Sequence, residues 1–171
     1  MEPLITLVVV TLALLALGAL GVRPLRRLPT ALRGGLAAMF LLTGVAHFAG
    51  MREELVAMVP DFVPEPELVV TLTGVAELAG AIGLLMPGTA LLASAGLTLL
   101  LVAMFPANVA LALSGSDIPW YDELPWRTLM QVVFLAATTT VVVDRLRAWR
   151  SARRVRGSAS TPVETHATSG V

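Results

Sequence analysis

The chain contains no cysteine and no lysine, only two histidines, and charged residues at just 14 % of its positions. Without cysteine it cannot exchange disulfides, hold an iron–sulfur cluster or build a thiolate zinc site, so any redox role rests on a bound cofactor or a partner. The two histidines, His47 and His166, are too few for a metal centre or a bis-histidine haem, and no metal ligands are assigned. Phosphate-cradling glycine loops and serine–histidine–acid arrangements are missing as well. Soluble enzyme classes therefore find no support, no catalytic residue is assigned, and the chain reads as a non-catalyst on its own. Net charge is zero and no nucleic-acid partner is expected. The wholly arginine basic complement is the coding bias of a GC-rich bacterial genome and carries no chemistry.

What is present is apolar: 56 % of the residues, with a mean hydropathy of +0.81, far outside the balance of a soluble domain. A helix needs about 20 apolar residues to cross a hydrocarbon core of roughly 30 Å. Five stretches satisfy or approach this: Leu4 to Val22, Ala31 to Ala49, Glu67 to Met86, Thr89 to Leu113 and Pro125 to Val143. The first follows Glu2 instead of a basic n-region and is long for a signal peptide, so it reads as an uncleaved anchor.

Arginines cluster between the first two spans (Arg23, Arg26, Arg27, Arg33) and after the last (Arg145, Arg147, Arg150, Arg153, Arg154, Arg156). The positive-inside rule makes both regions cytoplasmic, which sets the N-terminus outside and the C-terminus inside. The loops 50–66 and 114–124 then lie outside and carry Glu53, Glu54, Asp61, Glu65, Asp117, Asp122 and Glu123. The expected location is the bacterial plasma (inner) membrane, multi-pass. Met51 to Val63, closed by Pro60, Pro64 and Pro66, reads as a short amphipathic interfacial segment. Trp120, Tyr121 and Trp126 fit an outer aromatic belt. Ser151 to Val171, rich in serine, threonine and glycine, is expected to be disordered and His166 within it silent.

A strongly polar side chain inside a span costs a few kcal/mol unless it faces the bundle interior and finds a partner. Four spans carry one: His47, Glu77, Asn108 and Gln131, the last with Arg127 one turn before it. Counted inward from the outer ends, the depths are roughly 3 Å for His47 and Arg127, 8 to 9 Å for Asn108 and Gln131, and 15 Å for Glu77. All five fall in the outer half of the membrane and point to one cluster open to the external side. The first span holds only Thr6 and Thr11, which marks it as peripheral to a four-helix core. Thr43 and His47 share a face at i, i+4, as do Arg127 and Gln131. Pro106 cannot donate to the carbonyl of Val102 and bends the fourth span beside Asn108. Plainer roles compete: interhelical hydrogen-bond glue for Asn108 and Gln131, a hydrated interfacial residue for His47, a snorkelling anchor for Arg127. Glu77 is the hardest to dismiss, because a carboxylate in mid-membrane must be neutral or paired.

These residues also form a recognisable set. Gly44-Val45-Ala46-His47-Phe48, Met58-Val59-Pro60, Gly74-Val75-Ala76-Glu77-Leu78 with Gly80, Gly83-Leu84-Leu85 and Pro87, Phe105-Pro106-Ala107-Asn108, and Leu124-Pro125-Trp126-Arg127 with Gln131 together resemble the DoxX family of small bacterial membrane proteins over about residues 31 to 143. The resemblance implies an all-α four-helix transmembrane bundle in which His47, Glu77, Asn108 and Gln131 match the family's polar positions. Founding relatives look like membrane subunits of a thiosulfate:quinone oxidoreductase, and others accompany redox or oxidative-stress partners. The chain departs from that pattern by an additional N-terminal span and an arginine-rich tail. Three units follow: 1–30, the N-terminal transmembrane helix and basic loop; 31–144, the DoxX-like bundle; and 145–171, a basic, disordered cytoplasmic tail.

The expected function is an accessory, redox-associated membrane subunit. Its outward-facing pocket, formed by His47, Glu77, Asn108, Arg127 and Gln131, holds a quinone or other amphipathic lipid. The alternative is a non-catalytic assembly or scaffold protein, docking a membrane or redox partner, whose polar residues only fix helix packing. A proton pathway through Glu77 is weaker, because only Thr138, Thr139 and Thr140 continue towards the cytoplasmic side.

Overall fold

The computed structural model describes residues 1–60, 62–113 and 123–159. Helices make up all the regular secondary structure among these residues: α1 (Glu2–Ala19), a short 3-10 helix (Arg23–Arg26), α2 (Leu28–Ala46), α3 (Arg52–Ala57), α4 (Pro66–Leu85), α5 (Ala90–Leu113) and α6 (Leu124–Ala159). Asp61, Asp117, Trp120, Tyr121, Asp122 and His166, which entered the sequence reading, lie outside the described residues.

Proline sets several of the starts. It occupies the first turn of α1, α2 and α4, where its missing N–H has no carbonyl to serve and its fixed φ suits a helix. Glu65, held between Pro64 and Pro66, takes a left-handed backbone with φ 53° and ψ 59°. Gly50, with φ 79°, turns the chain out of α2 towards α3, a conformation that an L side chain rarely adopts.

Five helices, α1, α2, α4, α5 and α6, are long and apolar enough to cross a membrane. The distribution of side chains is inverted relative to a water-soluble protein. Ile5, Val9, Leu12, Leu72, Leu92, Leu99 and Val132 are exposed, whereas His47, Glu77, Ser94, Gln131 and Thr138 are buried. In water the outer faces would drive aggregation; against lipid they are the solvated surface. Helix α2 packs against α1, α4 and α6, and α5 joins α4 to α6. Leu36, Met39, Phe40, Leu84, Leu97 and Val141 fill the space between them.

The sequence reading is corrected at the C-terminus. Of the tail expected to be disordered over 145–171, residues 145–159 continue α6 as helix to Ala159, and 160–171 lie outside the described residues. Residues 144–156 contain neither proline nor glycine and are built largely from arginine, alanine and leucine, all good helix formers. Arg153 also stacks over Trp149 one turn earlier, at 4.8 Å from the ring centroid.

Candidate functional site

Hydrogen bonds among the described residues sort the five candidate side chains into two groups on different helix pairs. The first lies between α2 and α4. Thr43 Oγ1 donates to Glu77 Oε2 at 2.5 Å, and His47 Nδ1 lies 2.8 Å from the carbonyl oxygen of Thr43. A carbonyl only accepts, so that contact fixes Nδ1 as the protonated nitrogen and leaves Nε2 pointing elsewhere. Nδ1 is also 3.9 Å from Glu77 Oε2, too long for a hydrogen bond but close enough for charge to be felt. Both His47 and Glu77 are only 4 % exposed.

Small residues bring the two helices together here. A Cβ added at Gly74 would lie 2.5 Å from His47 Cβ, and one at Gly44 would lie 2.9 Å from Leu78 and 3.3 Å from Glu77 Cβ. Glycine at both positions lets the backbones close over the carboxylate. His47, although it caps the end of α2, thus sits beside Gly74, eight residues or about 12 Å into α4. That position is farther along the bundle than the roughly 3 Å counted from the end of its own span, and His47 is buried between the helices. The reason is that α2 stops well short of the outer end of α4, and α3 packs against α4 in the space left.

Arg52, at the start of α3, ties this corner. Its guanidinium donates to the carbonyl of His47 at 3.2 Å, to Thr71 Oγ1 at 3.1 Å and to the carbonyl of Glu67 at 3.4 Å. The carbonyl at the end of α2 is thereby bonded by a side chain from α3 that also reaches α4. Sequence reasoning missed Arg52 as a site residue, because it falls in the loop between two spans. Thr43 was noticed for its spacing to His47, but nothing in the sequence reveals that it faces Glu77.

The second group lies between α5 and α6. Arg127 Nη1 donates to Asn108 Oδ1 at 2.9 Å, and Gln131 Nε2 donates to the carbonyl of Leu101 at 2.6 Å. Leu101 precedes the carbonyl of Val102 that Pro106 leaves without its helical donor, so Gln131 binds the wall of the helix where proline opens it. Both are bonds from one helix to the next.

The groups also differ in what they leave open. Among the described residues Thr11 Oγ1 is the one sealed side-chain polar atom without a hydrogen bond. Glu77 Oε1 and His47 Nε2 make no hydrogen bond within the described chain and are not sealed, so each keeps a little accessible surface. No group of three or more histidine, aspartate or glutamate side chains suited to a metal ion occurs among the described residues. A 560 Å³ groove between α4 and α5, lined by Ala76, Gly80, Gly83, Ala93, Gly96 and Leu100, contains none of the five candidates.

Among the described residues the fold is all-helical, and its five long apolar helices, with Glu77, His47 and Gln131 buried, are compatible with a multi-pass membrane protein. Residues 36–143, well over half of the chain, match the family described as Domain of unknown function (DUF8561), and the chain belongs to that family. The match begins inside α2 and ends at Val143, so α1 and the arginine-rich end of α6 lie outside it. No curated protein and no solved structure matches the chain.

Proposed function

We propose that the chain is a DoxX-like accessory membrane subunit that binds a quinone or other amphipathic lipid beside Glu77. In this reading α2, α4, α5 and α6 form a four-helix transmembrane bundle with α1 added on the outside of α2. The N-terminus is external and the arginine-rich ends of α2 and α6 are cytoplasmic. The membrane is the bacterial plasma membrane, and a redox protein is the partner.

The observation that carries the ligand site is the pair of uncommitted polar atoms, Glu77 Oε1 and His47 Nε2, in an otherwise apolar surround. A cluster serving only to lock helices would be expected to close its hydrogen bonds internally, because each unmade one in a low-dielectric interior costs on the order of 1–3 kcal/mol. A quinol hydroxyl can donate to one of these atoms and accept from the other when that one carries a proton, whereas a quinone carbonyl accepts from whichever atom is protonated. The contacts of Asn108, Arg127 and Gln131 favour the structural role for the second group.

The test is thermal unfolding of the detergent-solubilised protein with a short-chain quinone. At a hundredfold excess over Kd the ligand adds about 2.7 kcal/mol of stability, a rise of several degrees. Glu77→Gln keeps an oxygen to accept from Thr43 and so folds, but loses the shift. A shift of equal size in the variant, or none in either protein, rejects the site.

A further inference from the structure

The arginine-rich end of the molecule holds a second cavity of about 420 Å³ between α2 and α6, away from Glu77. We infer that this cavity binds the phosphate of an anionic phospholipid headgroup. The inference is independent of the quinone reading and goes beyond it.

Arg27 and Pro29 line the cavity from the start of α2, and Thr139, Thr140, Asp144 and Arg147 from α6. Thr140, Asp144 and Arg147 fall on one face of the helix at spacings of four and three. Asp144 is the one anion in the lining, and it is already neutralised: Arg27 Nη2 reaches Oδ1 at 2.7 Å, and Arg145 Nη2 reaches Oδ2 at 2.6 Å. Arg27 remains 65 % exposed and keeps donors beyond that bond. Among the described residues the Arg147 guanidinium and the Thr139 hydroxyl make no hydrogen bond, whereas Thr140 is committed to the carbonyl of Ala136 at 2.7 Å. The cavity therefore offers two guanidinium groups and a hydroxyl against one paired carboxylate, a donor set suited to a phosphodiester.

A free phosphate and a lipid headgroup present the same chemistry, and the surroundings favour the lipid. Val143 lines the cavity, and Leu28 beside it is exposed, so an apolar wall adjoins the donors as acyl chains adjoin a headgroup. Trp149 lies half-exposed less than one turn beyond Arg147, a side chain suited to the headgroup level. Basic pockets between helices at the cytoplasmic level are the general setting for anionic headgroups.

The test is native mass spectrometry of the full chain in detergent, titrated with phosphatidylglycerol and with phosphatidylcholine of the same acyl chains. Wild-type protein is expected to hold one phosphatidylglycerol at least about tenfold more tightly than phosphatidylcholine. Arg147→Gln should lower that affinity about tenfold, the effect of one charge-assisted hydrogen bond. Thr139→Val, a substitution at an exposed position that leaves every charge in place, should lower it several-fold. Arg153→Gln, on the same basic helix but outside the cavity, should leave it unchanged. Equal losses in Arg147→Gln and Arg153→Gln reduce the effect to diffuse charge and overturn the site, as does equal retention of the two lipids. Displacement by millimolar inorganic phosphate, with no preference between the lipids, assigns the cavity to a free anion and overturns the lipid.

Discussion

Glu77 Oε2 accepts from the Thr43 hydroxyl with the His47 ring 3.9 Å away, while Oε1 stays outside the hydrogen-bond pattern. The Thr43 bond is the contact that makes a buried carboxylate tolerable on this face. Thr43→Val, nearly isosteric, removes the donor and should cost about 1.5–3 kcal/mol in thermal unfolding. Thr73→Val, on the same helix as Glu77 but bonded only to its own carbonyls at Val69 and Val70, should stay within about 0.5 kcal/mol of wild type. Equal effects would mean that the Thr43 bond contributes nothing particular to Glu77. At this scale the sequence was informative about which residues are out of place in lipid and uninformative about their partners. The i, i+4 spacing of Thr43 and His47 is visible along one helix. That Thr43 meets Glu77 while Arg127 meets Asn108 depends on the register between helices, which no local pattern encodes.

Among the elements, the long helices were legible because apolar runs of about 20 residues have few other outcomes and proline marks several of their starts. What local pattern could not reveal was where helices end relative to one another. His47 looked shallow because α2 ends next to it, but the Gly74 contact places it deep along α4. Gly74→Val tests that packing: the new Cβ would lie 2.5 Å from His47 Cβ, and overpacking of this kind costs typically 1–3 kcal/mol. Gly88→Ala, where an added Cβ meets nothing within 4 Å, should be neutral. A lowered melting temperature in the first and not the second is the expected pair of results. Helix α6 shows the opposite difficulty: the chain after the last apolar run was read as a disordered tail for its serine, threonine and glycine, although the helix formers from 144 to 156 carry the backbone on to Ala159. Arg33 was read only as a topology signal, yet it donates to the carbonyls of Leu84 at 2.9 Å and Leu85 at 3.3 Å, at the end of α4.

For the whole molecule, the charge asymmetry and the helix count make a prediction that the absence of cysteine renders easy to check. Single-cysteine variants need no background removed. Glu53→Cys, exposed on α3, should react with a membrane-impermeant maleimide added outside intact cells, and Ser151→Cys, exposed on α6, only after permeabilisation. The reverse pattern would invert the proposed orientation. The central claim concerns Glu77 and His47 as a ligand site. It is tested most directly by extracting wild-type protein and Glu77→Gln with their surrounding lipid in polymer discs and identifying the small molecules that accompany each by mass spectrometry. A quinone or other non-bulk amphipathic lipid held in near-stoichiometric amount by the wild type and lost from the variant is the predicted result; ordinary phospholipid alone, identical in both, would contradict it.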